Sequence, residues 1–361
     1  MILTSIWERY FLREIAKGFT LFILGFYFLY VLIDYSSHAK AFAESNIPLH
    51  DVCLFYLCTF FRRVDLILPF GLLLATCRTM CTLNLNNELV AMLTSGIPIK
   101  TLTRPFVAVG LVFVALMYLN QEYLLPISQV EYRFLEDTYL KEGQKSRRIE
   151  TQAFSDIQLH DGSTLLYQNY DSAQQHFFDV FWVRSADDIY RIKYLSTSAK
   201  ESEGTYVDHI WRDANGKLTL NASKTRMPLP GLAIDAEILN QVLVQPMDQA
   251  LSRLWKQIPS DRSTLTEHAA TVLTYFHYKL AIPWLSLLVI IGPAPHCLQY
   301  SRTLRVFLIN ALCILALLTF YLIMDTALIL GEHQAVPPAL AAWAPITCFG
   351  LATGWRFLRM R

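Results

Sequence analysis

Residues 306–330 read VFLINALCILALLTFYLIMDTALIL, an apolar run in which Asp325 is the one charged residue. A bilayer core about 30 Å thick requires roughly 20 apolar residues in a helix, so this run predicts a membrane span. Five further segments approach or meet that length: Gly18–Ile33, Val64–Leu83, Leu102–Leu125, Val272–Ile291 and Leu340–Leu358. The chain is therefore predicted to be a polytopic α-helical membrane protein with six transmembrane helices.

The six apolar segments fall into two groups of three, separated by a long polar block. We expect an N-terminal membrane half at residues 1–125, an inserted domain at 126–267 and a C-terminal membrane half at 268–361. The composition agrees with this layout, because charged residues form only 17% of the chain, against roughly 25% in soluble domains. The net charge of +1 provides no basic surface, which argues against nucleic acid as a partner.

Lysine and arginine are distributed unevenly between the two sides of the predicted membrane. One side carries Arg9, Arg13, Lys17, Arg78, Lys100, Arg104, Arg302, Arg305, Arg356, Arg359 and Arg361. The short loops on the other side carry only Lys40, Arg62 and Arg63. Because positive charges accumulate in cytoplasmic loops, this asymmetry places both termini in the cytoplasm and the inserted domain outside.

The inserted domain has the sequence pattern of an all-β protein. Short runs rich in aromatic and β-branched residues predict strands at Ser163–Tyr170, Phe177–Arg184, Ile189–Leu195, Tyr206–Arg212 and Lys217–Ala222. Many short strands at this spacing are typical of a sandwich, a jelly roll or an open barrel. Alternation within two of the strands predicts inward-facing side chains at Leu165, Tyr167, Phe181 and Val183.

The sequence lacks the common motifs that hold nucleotides, metal ions or catalytic nucleophiles. It has no Gly-rich phosphate loop followed by Lys, no dinucleotide fingerprint, no paired-histidine zinc helix and no nucleophile elbow. The histidines of the inserted domain show no metal-ligand spacing. We therefore predict no cofactor, no metal site and no catalytic residue. If ATP drives this protein, another subunit must bind the nucleotide.

Residues 83–98, LNLNNELVAMLTSGIP, join the second and third predicted spans on the cytoplasmic side. An Asn before Glu88 can start a helix, and Gly96 followed by Pro98 ends it, which predicts a short helix at about 86–96. An isolated helix this short is marginal in water, so it must lie against another surface. It either packs on its own membrane bundle or docks into a groove of a cytoplasmic partner.

The segment Asn87-Glu88-Leu89-Val90-Ala91 with Ser95-Gly96-Ile97 resembles the cytoplasmic segment of the LptF/LptG family, the permeases of lipopolysaccharide-export ABC transporters. Further landmarks that resemble the family occur in the family's order: Arg9-Tyr10, Asp34, Leu68-Pro69-Phe70, His277, Lys279 and Trp343-Ala344-Pro345. The sequence departs from the family where Lys279 replaces the customary Arg and Asn86 replaces a usual charged residue. The resemblance covers nearly the whole chain.

This resemblance implies a place in a larger assembly in the bacterial inner membrane. It implies a paralogous permease subunit, a cytoplasmic ABC ATPase dimer, and a periplasmic bridge protein with a β-jelly-roll fold like that of the inserted domain. The substrate would be lipopolysaccharide, extracted from the inner membrane and passed toward the outer membrane. The short helix would be the ATPase-coupling helix, with coupling residues Glu88, Leu89, Met92, Leu93 and Gly96.

Three cations at the outer ends of the first two spans are candidates for binding the lipid head group. Lys40, Arg62 and Arg63 lie where positive charges are otherwise few. They either extend to ordinary head groups at the membrane interface or contact the phosphates and carboxylates of lipopolysaccharide. Asp65, one turn beyond the arginines, could also pair with them.

Two other classes of function remain open for a chain with six spans and a soluble insert. A membrane-anchored periplasmic scaffold or sensor would not need six spans and would leave the short cytoplasmic helix unexplained. An intramembrane enzyme or a proton-coupled transporter would require paired intramembrane carboxylates or broken inverted repeats, and the sequence shows neither clearly.

Overall fold

The computed structural model describes residues 5–44, 47–136, 139, 155–159, 162–171, 176–185, 187–196, 202–212, 218–229, 232, 246–258, 267–298 and 306–359. It divides into two compact units. The first unit combines Met1–Lys145 with Pro246–Arg361, and the second is Ser146–Gln245.

The helices of the first unit follow the apolar segments of the sequence, because a chain in hydrocarbon must satisfy its own backbone groups. The N-terminal half contains α1 (Ile6–Glu44), α2 (Leu49–Arg62), α3 (Val64–Leu85), α4 (Glu88–Thr94), α5 (Ile99–Leu102), α6 (Arg104–Leu119) and α7 (Leu125–Leu135). The C-terminal half contains α8 (Leu251–Gln257), α9 (Glu267–Ala281), α10 (Leu285–Ile291), α11 (Ala294–Cys297), α12 (Val306–Glu332) and α13 (Pro338–Leu358).

Five helical stretches are long and apolar enough to cross a membrane: Ile6–Lys40, Val64–Leu85, Arg104–Leu135, Ala269–Cys297 and Val306–Glu332. The sixth predicted span, Leu340–Leu358, forms the helix α13. Its sequence contains prolines, glycines, threonines and Arg356, and it is not among these five. Five of the six predicted spans thus have a matching helix of sufficient length and apolar character, and the sixth stays a prediction.

Two of these spans are not continuous α-helices. The third passes from α6 through a π turn at Asn120–Leu124 into α7, which has Pro126 in its first turn. The fourth passes from α9 through a 3-10 turn at Ile282–Trp284 into α10. Proline lacks the backbone N–H that a continuous helix needs, so it accounts for the irregular turns at both places.

The helices α7 and α8 belong to the first unit, although the sequence prediction assigned their residues to the inserted domain at 126–267. α7 packs against α2, and α8 packs against α9. Each buries an apolar side chain among its neighbours, Leu135 in α7 and Leu254 in α8. The compact inserted unit, Ser146–Gln245, is therefore shorter than the predicted domain.

Helix α3 lies at the centre of the main apolar core. It contacts α1 in its own half and α10 and α12 in the other half. Small residues allow α1 to come close, since a Cβ atom added at Gly71 would lie 2.9 Å from the Ile23 side chain. Close approach through small residues is typical of helix packing in membranes, where the lipid is as apolar as the side chains.

The described strands of the second unit form one six-stranded antiparallel sheet in the order β1-β2-β3-β4-β5-β6. They are β1 (Ser155–Gln158), β2 (Thr164–Asp171), β3 (His176–Ser185), β4 (Asp188–Ser196), β5 (Ser202–Arg212) and β6 (Leu218–Leu229). The five predicted strands are confirmed, and β1 is additional. Every strand pairs with its neighbour in sequence, and a jelly roll requires crossovers that do not occur among these described strands.

The alternation of buried residues along β3 changes phase at Asp179, whose φ is positive at 48°. Phe177 and Val180 are both fully buried although they lie three residues apart. Phe181 and Val183 consequently lie in the half-exposed positions, and the prediction that they point inward is wrong. The physical reason is the left-handed residue, which breaks the two-residue period that the prediction assumed.

We expect Gly331 to be required for the packing of the C-terminal helices. A Cβ atom at this position would lie 2.9 Å from the Ala341 Cβ and 3.0 Å from the Thr274 side chain. Gly331→Ala should lower the free energy of unfolding by about 1–3 kcal/mol, because a packed core cannot absorb the extra methyl group. Thermal unfolding in detergent measures the effect. Gly25→Ala is the control, since nothing lies within 4 Å of its added Cβ, and equal melting temperatures for the two variants would contradict the expectation.

Candidate functional site

The predicted site residues, apart from Lys40 in α1, lie next to the two ends of α3. This helix begins at Val64, directly after the arginine pair at 62 and 63, and it ends at Leu85, three residues before α4. The candidate coupling residues and the candidate head-group residues are therefore at opposite ends of one continuous helix.

The predicted short helix is present as α4, Glu88–Thr94. Asn87 precedes it in the left-handed conformation and makes no capping bond with its side chain. The Asn86 side-chain amide donates instead to Glu88 Oε1 at 3.1 Å, and the Tyr10 hydroxyl donates to the same oxygen at 3.4 Å. Glu88 thus ties the first turn of α4 to α1, rather than presenting a free carboxylate.

Helix α4 ends in a Schellman motif around Gly96. The Ile97 N–H donates to the Met92 carbonyl at 3.2 Å, and the Gly96 N–H donates to the Leu93 carbonyl at 3.0 Å. Gly96 has a φ of 90°, which glycine adopts without strain. The predicted stop is confirmed, and the structure gives Gly96 the role of terminating the helix.

The apolar side of α4 packs on its own membrane bundle. Leu89 is only 2% exposed and belongs to the main core, and Met92 and Leu93 are half-buried against the same core. The expectation that Leu89 docks on a partner therefore needs correction, because its side chain is already covered. The exposed side of the helix instead carries Asn87, Ala91, Thr94 and Ser95.

A buried hydrogen bond connects the end of α3 to the other half of the protein. The Asn84 side-chain amide donates to the main-chain carbonyl of Cys297 at 2.9 Å. Cys297 ends α11, so the bond joins the N-terminal half to the C-terminal half four residues before the start of α4. A buried amide–carbonyl bond of this kind is costly to break, because both groups would lose their partners.

The three candidate head-group cations lie on separate elements. Arg62 ends α2, and its guanidinium carbon lies 3.9 Å from the centre of the Tyr132 ring in α7. Arg63 is exposed at the junction of α2 and α3, and Lys40 is exposed near the end of α1. Arg62 Nε is buried and has no hydrogen-bond partner among the described residues.

Asp65 does not form the ion pair with the arginines that the sequence suggested. The Tyr278 hydroxyl approaches its carboxylate at 3.5 Å. The Tyr321 hydroxyl donates to its main-chain carbonyl at 2.9 Å. Asp65 therefore connects α3 to α9 and α12, and sequence spacing gave no signal for these partners because they are more than two hundred positions away.

Lys279 is a buried cation that holds the return segment from the inserted unit. Its side chain is 2% exposed, and its ammonium group donates to the main-chain carbonyl of Gln249. The adjacent Asp248 accepts a hydrogen bond from the Gln129 amide at 2.6 Å and lies 3.6 Å from Arg133. In the sequence, the only sign of this cluster of polar side chains around Asp248 was a lysine inside an otherwise apolar helix.

A multi-span helical bundle with a β unit inserted between its two halves defines the chain as a membrane protein with a soluble insert. Residues 9–359 match a model of the family described as lipopolysaccharide export system permease LptF/LptG. The protein belongs to this family and is a membrane component of that export system. A search among curated proteins found no match.

We expect Lys279 to be replaceable by Arg but not by Met. Lys279→Met would leave the Gln249 carbonyl without this donor and remove a cation near Asp248, which should cost roughly 1–3 kcal/mol of stability. Lys279→Arg keeps the charge and a donor and should retain most of the stability. Melting temperatures of the purified variants in detergent test this, and an unchanged value for Lys279→Met would refute the role.

Proposed function

We propose that this protein is the permease subunit of an ABC transporter that extracts lipopolysaccharide from the bacterial inner membrane. A separate cytoplasmic ATPase dimer drives the movement, and a periplasmic β-jelly-roll bridge protein receives the lipid. The observation that carries the proposal is α4, a short helix fixed on the bundle by Leu89 with a small, exposed polar side. A helix fixed in this way is suited to docking on a partner, whereas a membrane-anchored scaffold or sensor would have no use for it.

The exposed side of α4 supports contact with an ATPase. Asn87, Ala91 and Thr94 are spaced four and three residues apart, which places them on one face of the helix. Their side chains are small, so the backbone of α4 could lie close to the floor of a groove in the partner. Force on this face would pass into the bundle through Leu89 and the Asn84–Cys297 bond.

The proposed orientation places both termini and α4 in the cytoplasm and the β unit in the periplasm. It rests on the excess of arginine and lysine at the α4 end, which the positive-inside rule assigns to the cytoplasm. In this orientation Lys40, Arg62 and Arg63 face the periplasmic side, where an extracted lipid would present its phosphates.

Helices α1 and α12 support pairing with a paralogous permease. Only 11% of the most apolar stretch of each is buried, against 67% for α3. Gly25 opens the surface of α1 further, between Leu21 and Phe28. These two helices therefore have the most apolar surface left for a second subunit or for lipid passing between the subunits.

Arg62 supports binding of an anionic head group. An aromatic ring holds a cation without adding a compensating negative charge, whereas a carboxylate would balance the charge. Its buried Nε donor has no partner among the described residues, so an acceptor from outside the chain would satisfy it. Lipopolysaccharide phosphates would supply such acceptors.

The inserted unit supports hand-over to the bridge protein through a sheet edge. β1 and β6 form the outer strands of the described sheet, so their outward backbone groups are not used within it. Another β domain can extend such an edge with main-chain hydrogen bonds, which require little sequence specificity. We propose that the inserted unit, joined at such an edge to the jelly roll of the bridge protein, forms part of the conduit.

Ala91→Trp should abolish co-purification of the ATPase and ATP-driven lipid release without lowering the melting temperature of the permease. The physical reason is that the indole would fill the space between the exposed face of α4 and a partner, while Ala91 is exposed among the residues that the structure describes. Pull-down of the ATPase from membranes and ATP hydrolysis in the assembled complex measure the effect.

Two controls make this result specific. Ala43→Trp adds the same side chain to an exposed position near the end of α1 and should leave the assembly intact. Leu89→Ala should lower both ATPase binding and stability, by about 2–5 kcal/mol for a buried leucine. Normal ATPase binding by Ala91→Trp would exclude α4 as the docking helix.

Arg62→Glu combined with Arg63→Glu should reduce the lipopolysaccharide retained on the purified protein several-fold, because like charges repel its phosphates. Quantifying the bound lipid by mass spectrometry tests this. Arg359→Glu is the matched control, since it reverses a charge at the opposite end of the bundle. Equal lipid retention by the double variant and the wild type would mean that the arginines only contact bulk head groups.

A further inference from the structure

An apolar cavity of about 480 Å³ lies between α10, α12 and α13. Its walls include Leu288, Val289, Leu312, Ala316, Phe349 and Ala352. The volume falls within the range of about 300–1,000 Å³ that is usual for ligand sites. The cavity therefore has the size and lining of a site for an apolar group.

Small residues and a helix break create this space. The chain leaves α10 through Gly292 and Pro293, and both residues line the cavity. A Cβ atom at Gly292 would lie 3.2 Å from the Leu288 carbonyl, so a larger residue would crowd the break. On the walls formed by α12 and α13, the small side chains of Ala316 and Ala352 leave space for a ligand.

The surroundings of the cavity favour hydrocarbon as its content. α12, which forms one wall, is the most apolar of the candidate spans and buries little of its surface within the chain. Apolar cavities hold water poorly because a buried water needs two to four polar partners. In a membrane the acyl chains of the adjacent leaflet are the available apolar molecules.

A positive charge lies at the rim of the cavity. Arg356 Nη1 is 3.3 Å from His296 Nε2, and both residues line the space. A guanidinium carries only donors, so a hydrogen bond at this contact has the imidazole nitrogen as its acceptor. Arg356 forms no ion pair with a carboxylate within the part of the chain that the structure describes.

We propose that this cavity binds an acyl chain of an anionic glycerophospholipid whose phosphate contacts Arg356. The apolar walls would hold the chain, and the Arg356 guanidinium at the rim would select an anionic head group over a zwitterionic one. Such a lipid is a resident of the membrane and not the transported substrate. This inference goes beyond the proposed export function and does not depend on it.

The position of the charge distinguishes this lipid from lipopolysaccharide. His296 adjoins Cys297, whose carbonyl accepts from Asn84 at the α4 end of α3. The rim of the cavity is therefore at the end opposite to Arg62 and Arg63. A lipid with its phosphate at Arg356 occupies the other leaflet from a lipid bound by that arginine pair.

Photo-crosslinking tests the proposal on the purified full-length protein. The probes are phosphatidylglycerol with a diazirine in one acyl chain and a matched phosphatidylcholine. We expect phosphatidylglycerol crosslinks to concentrate on the facing residues of α12 and α13, with a yield several-fold above that of phosphatidylcholine. Ala316→Trp should fill the cavity and reduce this yield several-fold, as should Ala352→Leu if the first variant folds poorly.

Matched variants separate the acyl site from the charge. Ala311→Trp adds the same bulk to an exposed position of α12 outside the cavity and should leave the crosslinks unchanged. Arg356→Gln should remove the preference for phosphatidylglycerol, whereas Arg359→Gln, whose guanidinium lies over the Trp355 ring, should keep it. Unchanged crosslinks in both cavity-filling variants would indicate ordinary surface lipid and would contradict the proposed site. Complete displacement of the probe by an equimolar amount of lipopolysaccharide would also contradict it.

Discussion

The burial of α3 is the constraint on which the rest of the helical unit depends. In the apolar stretch of α3, 67% of the residues are buried inside the protein. Membrane lipid is as apolar as these side chains, so the hydrophobic effect does not favour their transfer from lipid into the protein. Close packing must therefore replace the hydrophobic effect. Gly71 and Ala75, one turn apart, provide that packing because they let α1 approach the backbone of α3. Once α3 is fixed, the positions of its two ends are fixed as well.

Different contacts hold the two ends of α3, and these contacts are consistent with the proposed function. At one end Asn84 bonds to Cys297, and α4 follows with Leu89 buried in the core, so α4 is attached to the bundle. At the other end Asp65 meets tyrosine hydroxyls from α9 and α12. In the proposed transporter, displacement of α4 by an ATPase would therefore reach the residues beside Arg63 through one continuous helix.

Local features of the chain were predictable from the sequence, and features that depend on distant partners were not. The apolar runs, the five predicted strands and the stop at Gly96 follow from composition, period and backbone preference. Leu89 could not be assigned to the core or to a partner, since a seven-residue amphipathic helix suits either surface. The partner of Lys279 also required the fold, because Gln249 lies thirty positions away on a different element.

Arg62 and Arg356 show one physical arrangement at opposite ends of the bundle. Arg62 lies over the ring of Tyr132, and Arg356 Nη1 lies 3.3 Å from His296 Nε2. Both partners fix the position of the guanidinium without cancelling its charge, as a carboxylate would. A cation that is positioned but not neutralised attracts an anion from outside the chain, and in a membrane the nearest anions are lipid phosphates. In the proposed transporter, this arrangement would bind a transported lipid in one leaflet and a resident lipid in the other. The neighbouring apolar surface would determine which lipid is retained.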